Sequence, residues 1–343
     1  MSQAPQPVAI DAAPGSEPAL VTIEAIRAAA DLLRGVAIRS PLVAYGPAAD
    51  RVFLKAESLQ PIGAFKIRGA YVAIASLPPA ARARGVITYS SGNHAQGVAR
   101  SARLLGIPAV VVMPADVPAV KRERVAADGA EIVIVGTSSD ERQQVAESIA
   151  RERGLAIIPP FDDDRVIAGQ GTIGLEIVED LPDLTTVLVP IGGGGLASGV
   201  ATAIKALAPT VRVIGVEPEL AADARDSLAR AEIVRWPAEA VARTIADGTR
   251  SQALGQRTFA HLRRYLDRVL TVSEDHIRAA IRLAAERSRL VVEPSGALVV
   301  AALEYQSEMI TSDRPQGSIV GIVSGGNVDP AEYRRYLETP LPD

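Results

Sequence analysis

Cysteine is missing from all 343 residues, which excludes a disulfide framework, a thiolate metal site and a thiol nucleophile. That absence suits a reducing compartment, so a cytoplasmic location is the expectation. A basic block is missing too. Lys plus Arg total 36 against 40 Asp plus Glu, a net charge of −4 with no long run of one sign, so the electrostatic footprint of a nucleic-acid partner is absent. The longest uncharged stretch, residues 184–204, is broken by Pro190 and by Gly192–Gly195, and reads as a buried strand, a loop and a helix, not as a membrane span. Residues 1–20 lack the basic start and apolar stretch of a signal peptide and read as a flexible Pro/Ala-rich tail. No fixed-period repeat argues for a solenoid. What remains is an ordinary folded composition, 48% hydrophobic and 22% charged, in a chain long enough for two domains.

Helical spacing of Ile23, Ile26, Ala30 and Leu33 before Gly35 predicts a first helix with a glycine stop. Short β-branched runs follow at 86–89, 109–114, 131–136, 156–159, 186–190, 211–216 and 318–323. Amphipathic helical stretches, such as 94–105, 118–128 and 140–153, separate most of them. Such alternation predicts an α/β fold of two open, mainly parallel, doubly wound sheets with a ligand between them.

Only four lysines occur, at 55, 66, 121 and 205, so basic positions are mostly arginine. A retained lysine points to chemistry that needs a primary amine, such as a Schiff base. Lys66, between Phe65 and Ile67 and bracketed by Gly63 and Gly69, is placed for partial desolvation and a lowered pKa. PIGGGGLASG at 190–199 follows an apolar strand and opens a helix, so the backbone N–H groups of Gly192–Gly195 converge where a phosphate binds. The same residues match a dinucleotide fingerprint (Gly192, Gly194, Ala197, then Glu217), although such a loop normally opens its domain. SSGNHAQG at 90–97 is a second strand-to-helix edge, which reads either as a capped helix start or as a carboxylate site flanked by Ser91, Asn93 and His94. SGGN at 324–327 is a third, and three such edges build one cleft.

In order, KAESLQPIGAFKIRGAY, SSGNHAQG, AGQGT, PIGGGGLASG, GVEPE, IADG, VEPSGA and SGGN resemble the fold type II pyridoxal phosphate enzymes, related to tryptophan synthase β, and specifically the serine racemase and serine/threonine dehydratase family, over about residues 22–335. The resemblance implies pyridoxal 5'-phosphate as cofactor, with Lys66 as its Schiff-base lysine and Phe65 beside it. It implies a phosphate cup of Gly192, Gly193, Gly194, Gly195 and Leu196, a further cofactor contact at Gly248, Asn93 on the phenolic oxygen and Ser324 facing the ring nitrogen. A serine there leaves that nitrogen largely unprotonated and favours expulsion of a leaving group. Ser90–His94 would hold the substrate carboxylate, Ser91 would serve as acid on the face opposite Lys66, and Arg142 would face the substrate side chain. Glu217, the Ala221 carbonyl and Asp223 match a divalent-cation position whose oxygen ligands suit Mg²⁺ or Ca²⁺. The implied domains are a large cofactor-binding unit, 21–82 with 159–343, and a small substrate-closing unit, 83–158, in a homodimer.

The sequence departs from the family at Ala64, where a hydroxyl residue is common, and at Phe161, where animal racemases carry a polar residue. No regulatory domain follows SGGN, so feedback by isoleucine is not expected. The expected activity is β-elimination from a 3-hydroxy amino acid (serine, threonine or threo-3-hydroxyaspartate), giving a 2-oxo acid and ammonia. Alternatives are a serine racemase on the same scaffold, a nicotinamide-dependent oxidoreductase and a catalytically silent amino-acid-binding module.

Overall fold

The computed structural model describes residues 8–9, 18–47, 50–90, 92–117, 119–136, 139–312 and 316–342. A six-stranded sheet runs in the order Arg268–Val272, Arg212–Pro218, Leu184–Pro190, Ser318–Val323, Val52–Ala56, Leu42–Ala44. All neighbours are parallel except the last pair, where Leu42–Ala44 returns antiparallel at the edge. A second sheet, Glu131–Val135, Ala109–Pro114, Val86–Tyr89 and Ala156–Ile157, is wholly parallel.

Both faces of the large sheet are covered, which is why its central strands are apolar on both sides. Leu188, Ile214 and Val216 pack with Ile277, Ile281 and Leu298 from the helices Glu274–Ser288 and Pro294–Tyr305. On the other face Val187, Val189 and Val213 pack with Ile173, Ile177, Leu196, Val200 and Ile204 from the helices Asp164–Asp180 and Gly195–Leu207. The strands of each sheet that run parallel deliver their C-terminal ends to one edge, so the loops after Pro190, Val323 and Ala56 gather there, as does the loop after Tyr89 in the smaller sheet.

The sequence reading misses three strands of the large sheet. Val52–Ala56 carries Lys55 as its fourth residue, fully buried, so it does not read as an apolar run. Arg268–Val272 and Leu42–Ala44 are edge strands with partly exposed residues, and edges tolerate broken patterns. The strand expected over 156–159 ends at Ile157, just before the consecutive prolines Pro159 and Pro160. The first helix spans Ile23–Leu32, with Gly35 beyond it in the left-handed region (φ +76°). In the expected flexible tail, Val8–Ala9 pair antiparallel with Val234–Arg235; the rest of 1–17 lies outside the described residues. No helix among the described residues is long and apolar enough to cross a membrane.

Four helices meet by backbone contact. A Cβ on Gly169 would lie 2.7 Å from the Gly69 Cα, one on Gly97 would lie 3.0 Å from the Lys66 carbonyl, and one on Gly171 would lie 3.0 Å from the Gly199 carbonyl. Gly97 and Gly169 therefore seat the helices Asn93–Leu105 and Asp164–Asp180 against Lys66–Ala75, and Gly171 seats Asp164–Asp180 against Gly195–Leu207.

Candidate active site

Lys66 is the first residue of the helix Lys66–Ala75. The chain reaches it from the strand Val52–Ala56 through a short 3₁₀ turn and Gly63 in the left-handed region (φ +72°). The Phe65 N–H donates to the Ser324 carbonyl at 3.0 Å, and Ala64 bridges antiparallel to Gly325, so the lysine segment lies against SGGN. Beneath the helix a buried ionic quartet holds it down. The Arg68 guanidinium donates to both oxygens of Glu57 (2.8 and 2.9 Å) and of Glu176 (2.6 and 3.0 Å), while Lys55 donates to the Ser40 carbonyl (2.6 Å) and pairs with Glu176 (2.7 Å).

The Lys66 Nζ donates to the Pro160 carbonyl at 2.6 Å and lies 5.2 Å from the centre of the Phe65 ring. Desolvation pushes the ammonium down from 10.5 to about 8. A buried amine with no carboxylate to stabilise its charge is a nucleophile near neutral pH.

The neighbouring residue of Pro160 connects the lysine to the glycine loop: the Phe161 ring occupies the space a Gly193 side chain would need, and its Cα lies 3.0 Å from where a Gly195 Cβ would sit. On the other side, the Gly248 carbonyl lies 3.1 Å from the Cβ position of Gly192, and the Gly248 N–H donates to Ser295 Oγ at 2.9 Å. Gly194 caps the helix Gly195–Leu207 in the left-handed region (φ +90°), and Thr258 Oγ1 pins the loop by donating to the Gly193 carbonyl at 2.8 Å. Among the described residues, none accepts a hydrogen bond from the N–H groups of Gly192, Gly193 or Gly194. Buried donors of this kind at the start of a thirteen-residue helix fit a phosphate.

Ser90 Oγ accepts a long hydrogen bond (3.4 Å) from the Gly92 N–H; Ser91 lies outside the described residues. Asn93 opens the helix Asn93–Leu105, donating through Nδ2 to Glu293 Oε1 at 2.6 Å and accepting at Oδ1 from Asn327 Nδ2 at 2.8 Å. The His94 ring turns inward, with Nε2 3.0 Å from the Ile158 carbonyl, and burial with the Lys66 charge pushes it down to about 3. A neutral, buried ring leaves the His94 backbone N–H, not its side chain, to meet a carboxylate at the helix start. Arg142, half-buried in the helix Ser139–Arg153, has Asp116 and Glu141 as its charged neighbours, and desolvation lowers its pKa.

Glu293 is the residue that sequence reasoning passes over. It caps the helix Pro294–Tyr305, accepts the Asn327 N–H at 3.1 Å as well as the Asn93 amide, and is pushed up to about 7 by burial and the Asp247 charge. A proline directly after it marks a helix start, but nothing in VEPSGA announces a carboxylate shared by Asn93 and Asn327.

At the end of the strand Arg212–Pro218, buried Glu217 accepts the N–H groups of Ala224 (3.0 Å) and Arg225 (2.9 Å). Both oxygens of buried Asp223 lack a hydrogen-bond partner, and Ala221 lies in the turn between the two acids. Burial raises both carboxyls, Glu217 to about 8 and Asp223 well above its ordinary range with Glu217 adding to the rise. Two orphaned oxygens beside a second carboxylate fit a hard cation, although no cluster of three His, Cys, Asp or Glu side chains occurs among the described residues.

The model of the family described as "Pyridoxal-phosphate dependent enzyme" matches residues 35–325. The chain is 42% identical over 288 residues to L-threo-3-hydroxyaspartate ammonia-lyase of Saccharomyces cerevisiae, covering 84% of this chain and 86% of that one. It is 47% identical over 278 residues to L-threonine ammonia-lyase of Geobacter sulfurreducens, covering 81% and 67% respectively. Among solved structures, maize serine racemase superposes with a TM-score of 0.87 at 38% identity, over 93% of this chain and 98% of that one. A desolvated lysine beside a loop of unpartnered glycine N–H groups, in a chain matched over most of its length, has one reading: the protein belongs to the pyridoxal-phosphate dependent enzyme family.

Proposed function

We propose that the chain eliminates the β-hydroxyl of a 3-hydroxy amino acid, with serine, threonine and threo-3-hydroxyaspartate as the substrate class, to give a 2-oxo acid and ammonia. The observation that carries this reading is Lys66: a desolvated amine two residues from a fixed ionic quartet and one strap away from the glycine loop. Bound pyridoxal phosphate supplies the electron sink that makes the α-proton of the amino acid labile. Lys66 would hold the cofactor through its amine, and the same amine is the base placed to take the α-proton. Gly192–Gly195 and Leu196 hold the phosphate, with Phe65 and Gly248 lining the site, Asn93 meeting the phenolic oxygen and Ser324 the ring nitrogen. The N–H groups from Ser90 to His94 receive the substrate carboxylate. Arg142 reads the substrate side chain, and a distal carboxylate is the group its planar fork would match. Residues 83–158 form the unit that closes on substrate, 21–82 with 159–343 the unit that holds the cofactor. The reading includes a cytoplasmic homodimer, which sedimentation and cell fractionation test.

The direct test is product formation. The three substrates are expected to give 2-oxo acid and ammonia, with elimination exceeding formation of D-serine from L-serine; exclusive racemisation would favour the racemase reading. Elimination needs one base, whereas racemisation needs a group on each face of the α-carbon. In Ser91→Ala, racemisation is expected to collapse while elimination of the L-substrate largely survives. Joint loss of both would assign Ser91 to carboxylate binding, and persistence of both would assign the second proton to another group.

Glu217, the Ala221 carbonyl and Asp223 are assigned to a divalent cation that braces the turn. Both carboxyls bind protons more tightly when folded, so the stability each contributes is present at acid pH and lost as pH rises, for Glu217 between about 4.5 and about 8. Mg²⁺ therefore raises the melting temperature, and more so above pH ~8 than below pH ~6. The increase disappears in Asp223→Asn; a shift that survives that substitution places the ion elsewhere.

A further inference from the structure

A chain of four side chains crosses between the helices of the smaller sheet and the larger one, and its two ends have opposite hydrogen-bonding character. Arg124, exposed on the helix Ala119–Ala127, donates to Asn327 Oδ1 at 2.6 Å. Asn327 Nδ2 donates to the Ile62 carbonyl at 2.7 Å and to Asn93 Oδ1 at 2.8 Å. Asn93 Nδ2 donates to Glu293 Oε1 at 2.6 Å. A guanidinium only donates, a carbonyl only accepts, and an ionised carboxylate only accepts, whereas an amide can present either end. With the Arg124 guanidinium and the Ile62 carbonyl both on Asn327, each amide has a single consistent orientation. Reversing Asn327 would face its NH₂ to the guanidinium and its oxygen to the Ile62 carbonyl. Reversing Asn93 would face its NH₂ to the NH₂ of Asn327.

We propose that Arg124 and Glu293 are positioning residues that lock the Asn93 amide through Asn327, so that its second N–H is presented to the cleft. The inference rests on the cofactor reading above, in which Asn93 meets the phenolic oxygen. Its new content is that a surface arginine of the smaller sheet's helices, acting with the Ile62 carbonyl, holds that contact. Arg124 and Asn93 come from one side, Asn327, Ile62 and Glu293 from the other, so the lock exists only where the two sides meet. Lys121, three residues before Arg124 on the same helix, joins Asp247 across the same boundary at 2.5 Å and holds the helix in register.

The test uses the full chain loaded with pyridoxal phosphate, reading the visible absorbance band and the cofactor dissociation constant. Arg124→Met changes an exposed side chain, so the fold is retained. It is expected to shift the band and to weaken retention about tenfold, the scale of one charge-assisted hydrogen bond. Arg124→Lys, still a donor without an acceptor, restores both. In an Asn93→Ala background Arg124→Met has no further effect, because there is no amide left to orient. An unchanged band and affinity in Arg124→Met, with the band present in the unaltered protein, overturns this inference alone. So does an effect of Arg124→Met that is undiminished without Asn93. Failure of the unaltered protein to take up the cofactor overturns the site reading and this inference with it.

Discussion

Lys66→Met abolishes turnover, by at least about 10⁴-fold, and at the same time raises the melting temperature of the cofactor-free protein. The first effect follows from the removal of covalent anchor and base together. The second follows from the sign of the pKa displacement. Burial lowers the amine from 10.5 to about 8, so between those values the unfolded chain binds the extra proton and stability rises with pH; below about 8 the full cost is present. That cost is about 3 kcal/mol. The methionine also leaves the Pro160 carbonyl without its donor, a loss of about 1 kcal/mol, so the net gain is about 2 kcal/mol. Calorimetry of the two apo-proteins checks the sign. A lower melting temperature would mean that the contact with Pro160 outweighs desolvation, and surviving turnover would remove Lys66 from the chemistry.

Arg68→Met has the largest expected effect on stability. Arg68 is 1% exposed and Glu57 is 0% exposed, so the substitution leaves the Glu57 charge buried with only Ser40 and Gln60 as donors. Breaking a buried pair by removing one partner costs about 3–5 kcal/mol. Denaturant unfolding is expected to register that loss, and Arg68→Met with Glu57→Gln to recover most of it, because the stranded charge is then gone. A loss of the same size in the single and double variants would show that packing of the arginine stem, not charge, holds the helix.

Elements whose burial agrees with their chemistry are readable before folding. Gly192–Gly195 after an apolar strand predicts a loop and a helix, and the chain builds both. Lys66 stands out because lysine is scarce, and its lowered pKa follows from apolar neighbours. Lys55 defeats the same logic: its charge disguises a central strand, since its partners Glu176 and the Ser40 carbonyl are far away in sequence. Glu293 and Asn327 are missed for a related reason. Each is an ordinary polar residue whose importance comes from partners brought by other elements, Asn93 from 200 residues away for Glu293 and Arg124 from 203 away for Asn327. Periodicity reports the faces of elements, whereas these two act at an edge where unrelated loops converge.

The backbone contacts at Gly69, Gly97, Gly169, Gly171 and Gly199 carry a consequence for inheritance. A methyl group on Gly169 would lie 2.7 Å from the Gly69 Cα and 2.8 Å from the Arg68 carbonyl, so it has nowhere to go unless a whole helix withdraws. Drift through alanine is closed at Gly169, where the step displaces the lysine helix, and at Gly199, whose Cβ would lie 2.2 Å from the Ile167 carbonyl. A substitution at Gly169 therefore reaches the amine through the backbone, by moving the helix that seats it.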